Sequence, residues 1–168
     1  MNIRLIYPAI FVACAGLLGF ALYLQHVDHL DPCPLCILQR VVFIATGLTA
    51  LVAAVHNPRK IGQAIYAMTL IIFAGIGAAI AGWHVWLQHA PHGTVVECGP
   101  GLDYMLDAFP LSKALPMIFR GSGDCGKIVW NFLGLSIPAW ALVWFILFTL
   151  TGLALLAQAL RQRKHAAA

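Results

Sequence analysis

Four stretches of this chain run for about 20 residues or more almost without charge, the length that carries a helix across the hydrocarbon core of a bilayer. Leu5 to Gln25 holds no charged residue, and Ile37 to Val55 is apolar with Gln39 and Arg40 near its start. Ile61 to Leu87 and Ile137 to Leu160 are again free of acids, lysines and arginines. In hydrocarbon only a helix or a closed barrel satisfies its own backbone, and no two-residue alternation marks barrel strands. Composition agrees: 61% of the 168 residues are hydrophobic and 10% are charged, against about 25% charged in a soluble domain. The expectation is an all-α integral membrane four-helix bundle, a single domain over 1–168. Its spans are expected near 6–25, 37–55, 62–87 and 137–160, with outer loops 26–36 and 88–136 and an inner loop 56–61. The third run is rich in Gly and Ala (Ala74, Gly75, Gly77, Ala78, Ala81, Gly82), which suits close helix–helix approach.

The first run is expected to stay as a span. It is longer than the 7–15-residue core of a cleaved signal, and no small-residue cleavage pattern follows it. Cys14 lies inside it and reads as a small buried hydrophobe.

Charge orients the bundle. Four spans bring both termini and the 56–61 loop to one side, which holds Arg4, Arg59, Lys60, Arg161, Arg163 and Lys164. The other side carries all six acids and only Arg40, Lys113, Arg120 and Lys127 as cations. The excess of Lys and Arg makes the first side cytoplasmic. The net charge of +4 then reflects topology. Nucleic-acid binding is excluded as its cause, because no basic and aromatic patch lies on a polar face.

That orientation puts four cysteines outside: Cys33 and Cys36 ahead of the second span, and Cys98 and Cys125 in the long third loop. In a bacterium the outside is the periplasm, where disulfides persist. Four cysteines allow three connectivities, all open at this point. Cys33-Pro34-Leu35-Cys36 at a helix start places two thiols where the helix N-terminus favours negative charge. Arg40 follows Cys36 by four residues and so shares its helix face. An arginine inside an apolar span costs about 2.5–3.5 kcal/mol at the centre and less near the end. A Cys36 thiolate or a polar ligand head would partner it; the plain alternative is a snorkelling side chain. Zinc uses the same C-x-x-C spacing, but a second closely spaced pair is missing, so no metal is expected.

Histidines 26, 29, 84, 89 and 92 fall near the outer ends of spans. Haem or metal ligation competes there with ordinary interfacial packing, and packing is favoured because His84 and His89 lie five apart. In the third loop, Leu102 to Phe119 is apolar but broken by Pro110 and Pro116. It reads as a short amphipathic helix lying on the membrane surface, either a lid over the bundle or a tether for Cys98.

Several local patterns then converge. They are Cys33-Pro34-Leu35-Cys36-Ile37-Leu38-Gln39-Arg40, Gly123-Asp124-Cys125, and Trp130-Asn131-Phe132-Leu133-Gly134-Leu135 ahead of Pro138 and Trp140. With four spans and a two-cysteine third loop, the chain resembles the disulfide bond formation protein B (DsbB) family of membrane thiol–quinone oxidoreductases over nearly its whole length. The resemblance implies an inner-membrane enzyme that reoxidises a periplasmic DsbA-like thioredoxin-fold dithiol oxidase. Its electrons would pass to ubiquinone or menaquinone. Cys33, Cys36, Cys98 and Cys125 would be catalytic, with Cys98 exchanging with the soluble partner and Cys125 pairing with Cys33 during transfer. Cys36 and Arg40 would contact the quinone, joined by a histidine ending the third span, for which His89 is the best match. Gln39 stands where some members carry an acid, and Cys98 is set among more Gly and Pro than the pattern leads one to expect. Two other classes are weighed beside this one. A haem bundle would show a histidine-dependent absorption band, and a scaffold with fixed disulfides would show no thiol turnover.

Overall fold

The computed structural model describes residues 3–29, 32–58, 60–90 and 130–164. Four helices carry the fold: α1 (Ile3–His26), α2 (Pro34–His56), α3 (Lys60–His89) and α4 (Ile137–Lys164). Each is long and apolar enough to cross a membrane. The all-α four-span expectation therefore describes the molecule. The loop bearing Cys98, Cys125 and the expected amphipathic surface helix at 102–119 lies outside the described residues.

Helix ends differ from the apolar runs for local reasons. α2 begins at Pro34, three residues before the apolar run, because proline is tolerated at a first helical position where its missing N–H has no partner to lose. Cys33 caps it from an extended backbone (φ −67°, ψ 161°), its sulfur accepting the Cys36 N–H at 3.3 Å. At the other end Asn57 adopts a left-handed φ of 44° and returns its N–H to the Ala53 carbonyl, a common helix stop.

Contacts between helix ends fix an alternating up-and-down order. Arg40, early in α2, bonds Gln25, late in α1. Gln39 meets His84, late in α3, and Ser136, just before α4, donates to Gln88 of α3 at 2.7 Å. One end of the bundle thus gathers the close of α1, the start of α2, the close of α3 and the start of α4.

The most extensive helix contact joins α3 and α4, and glycine makes it possible. A Cβ at Gly77 would lie 2.4 Å from the Phe145 ring, and one at Gly152 would lie 2.8 Å from Ile71. Small residues allow such approach where dispersion, rather than expulsion of water, drives association. Phe145 then stacks on Phe43 of α2 with centroids 4.1 Å apart. Cys14 is buried in the α1–α2 seam, where a Cβ at Gly47 would come within 3.1 Å of its own Cβ. Hydroxyls inside the spans bond their own helices: Thr46, Thr49, Thr69, Thr149 and Thr151 each donate to the carbonyl four residues earlier. This satisfies each hydroxyl without a partner helix. Large side chains such as Val12, Leu48, Ile72 and Leu150 point outward, a surface fitted to lipid rather than water. Exposed Trp83 and Trp86 stack with centroids 4.7 Å apart near the end of α3, where aromatic rings favour the lipid–water boundary.

A small hairpin leads into α4. Its strands, β1 (Asn131–Phe132) and β2 (Leu135–Ser136), pair antiparallel. Leu133 and Gly134 both take positive φ, 53° and 80°, the two-residue turn whose twist matches paired strands. Trp140 pins the hairpin to α4 by donating Nε1–H to the Phe132 carbonyl at 3.1 Å.

Candidate functional site

The Cys33–Cys36 pair stands at the N-terminus of α2, and its two members face different neighbours. The sulfurs are 2.8 Å apart, so a disulfide between them forms or opens with little backbone movement. Cys33 is 7% exposed and turns toward α3, where His84 Nε2 lies 3.7 Å from its sulfur. Cys36 is half-buried and also contributes to a pocket wall.

His84 is buried at 2% exposure, and Gln39 Nε2 lies 3.2 Å from its Nδ1. With the amide nitrogen in this orientation donating, Nδ1 accepts, and the matching tautomer carries its proton on Nε2, the atom facing Cys33. Gln39 is itself 4% exposed, and this bond satisfies a polar group that would otherwise be costly to bury. In that tautomer Cys33 Sγ meets two donors, the Cys36 N–H and the His84 Nε2–H, an arrangement that favours negative charge on the sulfur.

The pocket has a volume of about 580 Å³, within the range of small-molecule sites. Leu17, Leu18, Phe20, Ala21 and Leu24 of α1 form one side. Ile137, Trp140, Ala141 and Trp144 of α4 form another, and Trp130 and Phe132 close it from the hairpin. Trp130 is held edge-on to Phe20 and stacked on Phe132, with centroids 5.7 and 5.9 Å apart. The remaining wall belongs to α2 and carries Cys36, Gln39, Arg40 and Phe43. A long apolar cleft with its polar groups concentrated on one strip suits an apolar molecule bearing a few acceptor atoms.

Arg40 finds its partners on α1. Its Nη1 donates to Gln25 Oε1 at 2.5 Å and its Nη2 to the Ala21 carbonyl at 3.1 Å. The partner that a half-buried cation demands is thus a neighbouring helix, and Arg40 still lines the pocket with Cys36. Gln25 is a site residue that the sequence reading missed, since nothing in the apolar run marks it.

The third-span histidine is placed differently from expectation. His89 is exposed, donates its Nδ1–H to the Val85 carbonyl of its own helix at 2.9 Å, and is not on the pocket wall. His84 is the histidine that the fold brings to the cysteine pair. A signal for it exists in the sequence: Ala67, Leu70, Ala74, Gly77, Ala81 and His84 recur at alternating steps of three and four, and every one of them is buried. His84 continues the packed stripe of α3, whereas His89 falls off it. Cys98 and Cys125 lie outside the described residues.

Comparison with known proteins agrees with this arrangement. Residues 3–155 match the family model described as disulfide bond formation protein DsbB. Similar curated proteins include disulfide bond formation protein B of Hahella chejuensis, 52% identical over 146 residues that cover 87% of this chain and 88% of that one. The protein of the same name from Marinobacter nauticus is 48% identical over 153 residues, 91% of each chain. That of an Azoarcus species is 50% identical over 144 residues, 86% of each. With four membrane-spanning helices, a cysteine pair at the head of the second and this likeness along nearly its full length, the chain belongs to the DsbB family of disulfide bond formation proteins.

Proposed function

We propose that this chain is a protein-dithiol:quinone oxidoreductase of the bacterial inner membrane. It reoxidises a DsbA-like thioredoxin-fold protein in the periplasm and delivers the electrons to ubiquinone or menaquinone. Its redox cysteines face the periplasm and its termini the cytoplasm, the orientation favoured by the distribution of Lys and Arg. The observation that carries the reading is that Cys36 and Arg40 share one wall of an apolar pocket between α1, α2 and α4.

The pocket fits a quinone by its chemistry. Aromatic side chains from the hairpin and α4 suit a flat ring and an apolar tail, and Arg40 and Gln39 offer N–H donors suited to ring carbonyl oxygens. A quinone held there supplies a lipid-soluble acceptor of two electrons and two protons.

The chain's own residues do the rest. A thiolate of the reduced partner attacks a disulfide sulfur of the long loop, a role we assign to Cys98. A second thiol of the partner displaces it, so the partner leaves oxidised and the loop cysteines hold the electron pair. Exchange through Cys125 and Cys33 then opens the Cys33–Cys36 bond and leaves Cys36 as the thiolate at the pocket wall. The first turn of α2 favours negative charge on Cys36, and the donors around Cys33 favour its release as a thiolate. Arg40, fixed by Gln25 and the Ala21 carbonyl, holds positive charge at the same wall. Exchange enters from the Cys33 side and electrons leave from the Cys36 side.

Stopped-flow absorbance of the purified protein in detergent, with added quinone and a reduced thioredoxin-fold dithiol protein, tests this. Quinone loss matched one for one by partner oxidation is the expected result. No quinone consumption with any dithiol offered would overturn it in favour of a scaffold with fixed disulfides.

A further inference from the structure

Cys33, Cys36 and His84 place two sulfurs and one imidazole nitrogen within 4.8 Å of one another. From this geometry we propose that the reduced cysteine pair and His84 form a binding site for a soft divalent cation of the zinc type, which arrests the enzyme in its dithiol form.

The distances suit this coordination. Tetrahedral bonds of about 2.3 Å to sulfur and about 2.0–2.1 Å to nitrogen put a sulfur and a nitrogen ligand about 3.6 Å apart, and two sulfurs about 3.8 Å apart. The Cys33 Sγ to His84 Nε2 separation is 3.7 Å. The two sulfurs, at 2.8 Å, must part by about 1 Å, which rotation of the half-buried Cys36 side chain supplies. Charge is equally suitable. Both thiols release a proton as the metal binds, so two thiolates, a neutral imidazole and a dication sum to zero, and no net charge is buried beneath the membrane surface.

Gln39 completes the site. A metal-ligating histidine donates its other ring N–H to a fixed acceptor. Gln39 already bonds His84 Nδ1, and turning its amide over presents Oε1 to an Nδ1–H, freeing Nε2 for the metal. With three protein ligands, the fourth position is left for water or another donor, as in open zinc sites. Sequence spacing conceals the set, because His84 is 51 positions from Cys33.

The consequence is competition between metal and disulfide. The oxidised pair has no thiolate to offer, and the metal-bound pair cannot close. Only the dithiol form, produced whenever electrons enter faster than they leave, would be captured.

Cobalt(II) is the probe for the test, added to the full-length protein in detergent after reduction on an immobilised dithiol and exchange into metal-free buffer. The expected result is one cobalt per chain, with sulfur-to-cobalt charge-transfer absorption and the visible bands of a tetrahedral site, both displaced by zinc. The absorption should be absent from the oxidised protein and lost in Cys33→Ser. Affinity should fall about 10- to 100-fold in Gln39→Leu and further in His84→Ala, while His84→Cys, which offers a third sulfur, keeps the tetrahedral spectrum. Absence of the charge-transfer band, or equal cobalt affinity in His84→Ala and the unaltered protein, would overturn the proposal. The inference requires only reducible thiols, so its failure leaves dithiol-to-quinone turnover in metal-free buffer untouched, and failure of that turnover leaves the cobalt spectrum untouched.

Discussion

The start of α2 has two faces that share one cysteine pair and Gln39. Toward α1 and α4 lies the apolar pocket, where Cys36 and Arg40 stand among leucine, tryptophan and phenylalanine side chains. Toward α3 lies a buried polar contact, Cys33 against His84 and His84 against Gln39. The first face is an apolar cleft, and the second supplies hydrogen-bond partners to a sulfur. Two cysteines of one short motif can therefore take different jobs without any difference in residue type. Backbone conformation sets them apart, because Cys33 is the extended N-cap while Cys36 lies in the first helical turn.

The largest effect expected is from Cys36→Ser. It removes the only sulfur that the described residues bring to the pocket wall and should abolish quinone reduction, whereas retained turnover would erase the division between the faces. Next is Arg40→Ala, which deletes a charged donor from that wall. The quinone KM should rise about 10- to 100-fold, the worth of a hydrogen bond to a charged group. An unchanged KM, measured by steady-state quinone reduction, would show that Arg40 serves only to tie α2 to α1. Gln39→Glu addresses the other face. A carboxylate accepts where the amide donates, so the ring proton should move from Nε2 to Nδ1 of His84. Nitrogen-15 spectra of histidine-labelled protein read this directly, and an unaltered tautomer would remove Gln39 from control of Cys33. The smallest effect belongs to Cys14→Ala, in the α1–α2 seam and off the pocket lining. Turnover should be intact, and a large loss would mean that the pocket depends on packing one turn away, below Leu17 and Leu18.

Much of this was legible in the chain and some was not. Spans are readable because lipid tolerates almost no charge, so the gaps between Arg and Lys residues mark them. Helix ends are less readable: the start of α2 moves to Pro34 because a proline and a capping sulfur can begin a helix where hydropathy has not yet risen. Cys33, Cys36 and Arg40 stand out by local spacing. Gln25 and His84 do not, since their partners are 15 and 51 positions away on other helices. His89 is favoured by its place at the end of a span, yet helical phase turns it outward and brings His84 in. Periodicity along α3, read together with the alanine and glycine stripe, carries that information where position along the chain does not.

The hold of Arg40 on Gln25 and the Ala21 carbonyl has a consequence for how such a protein is made. While α2 sits in lipid undocked, its arginine has no such partners, and a cation there carries a cost, smaller near a span end than the ~2.5–3.5 kcal/mol of the bilayer centre. Docking of α1 in one rotation and at one depth relieves that penalty, and the same event sets the guanidinium beside Cys36. A chain whose first span is misplaced would carry an unsettled charge and an incomplete pocket together. The docking of α1 and the completion of the pocket wall thus depend on one side chain.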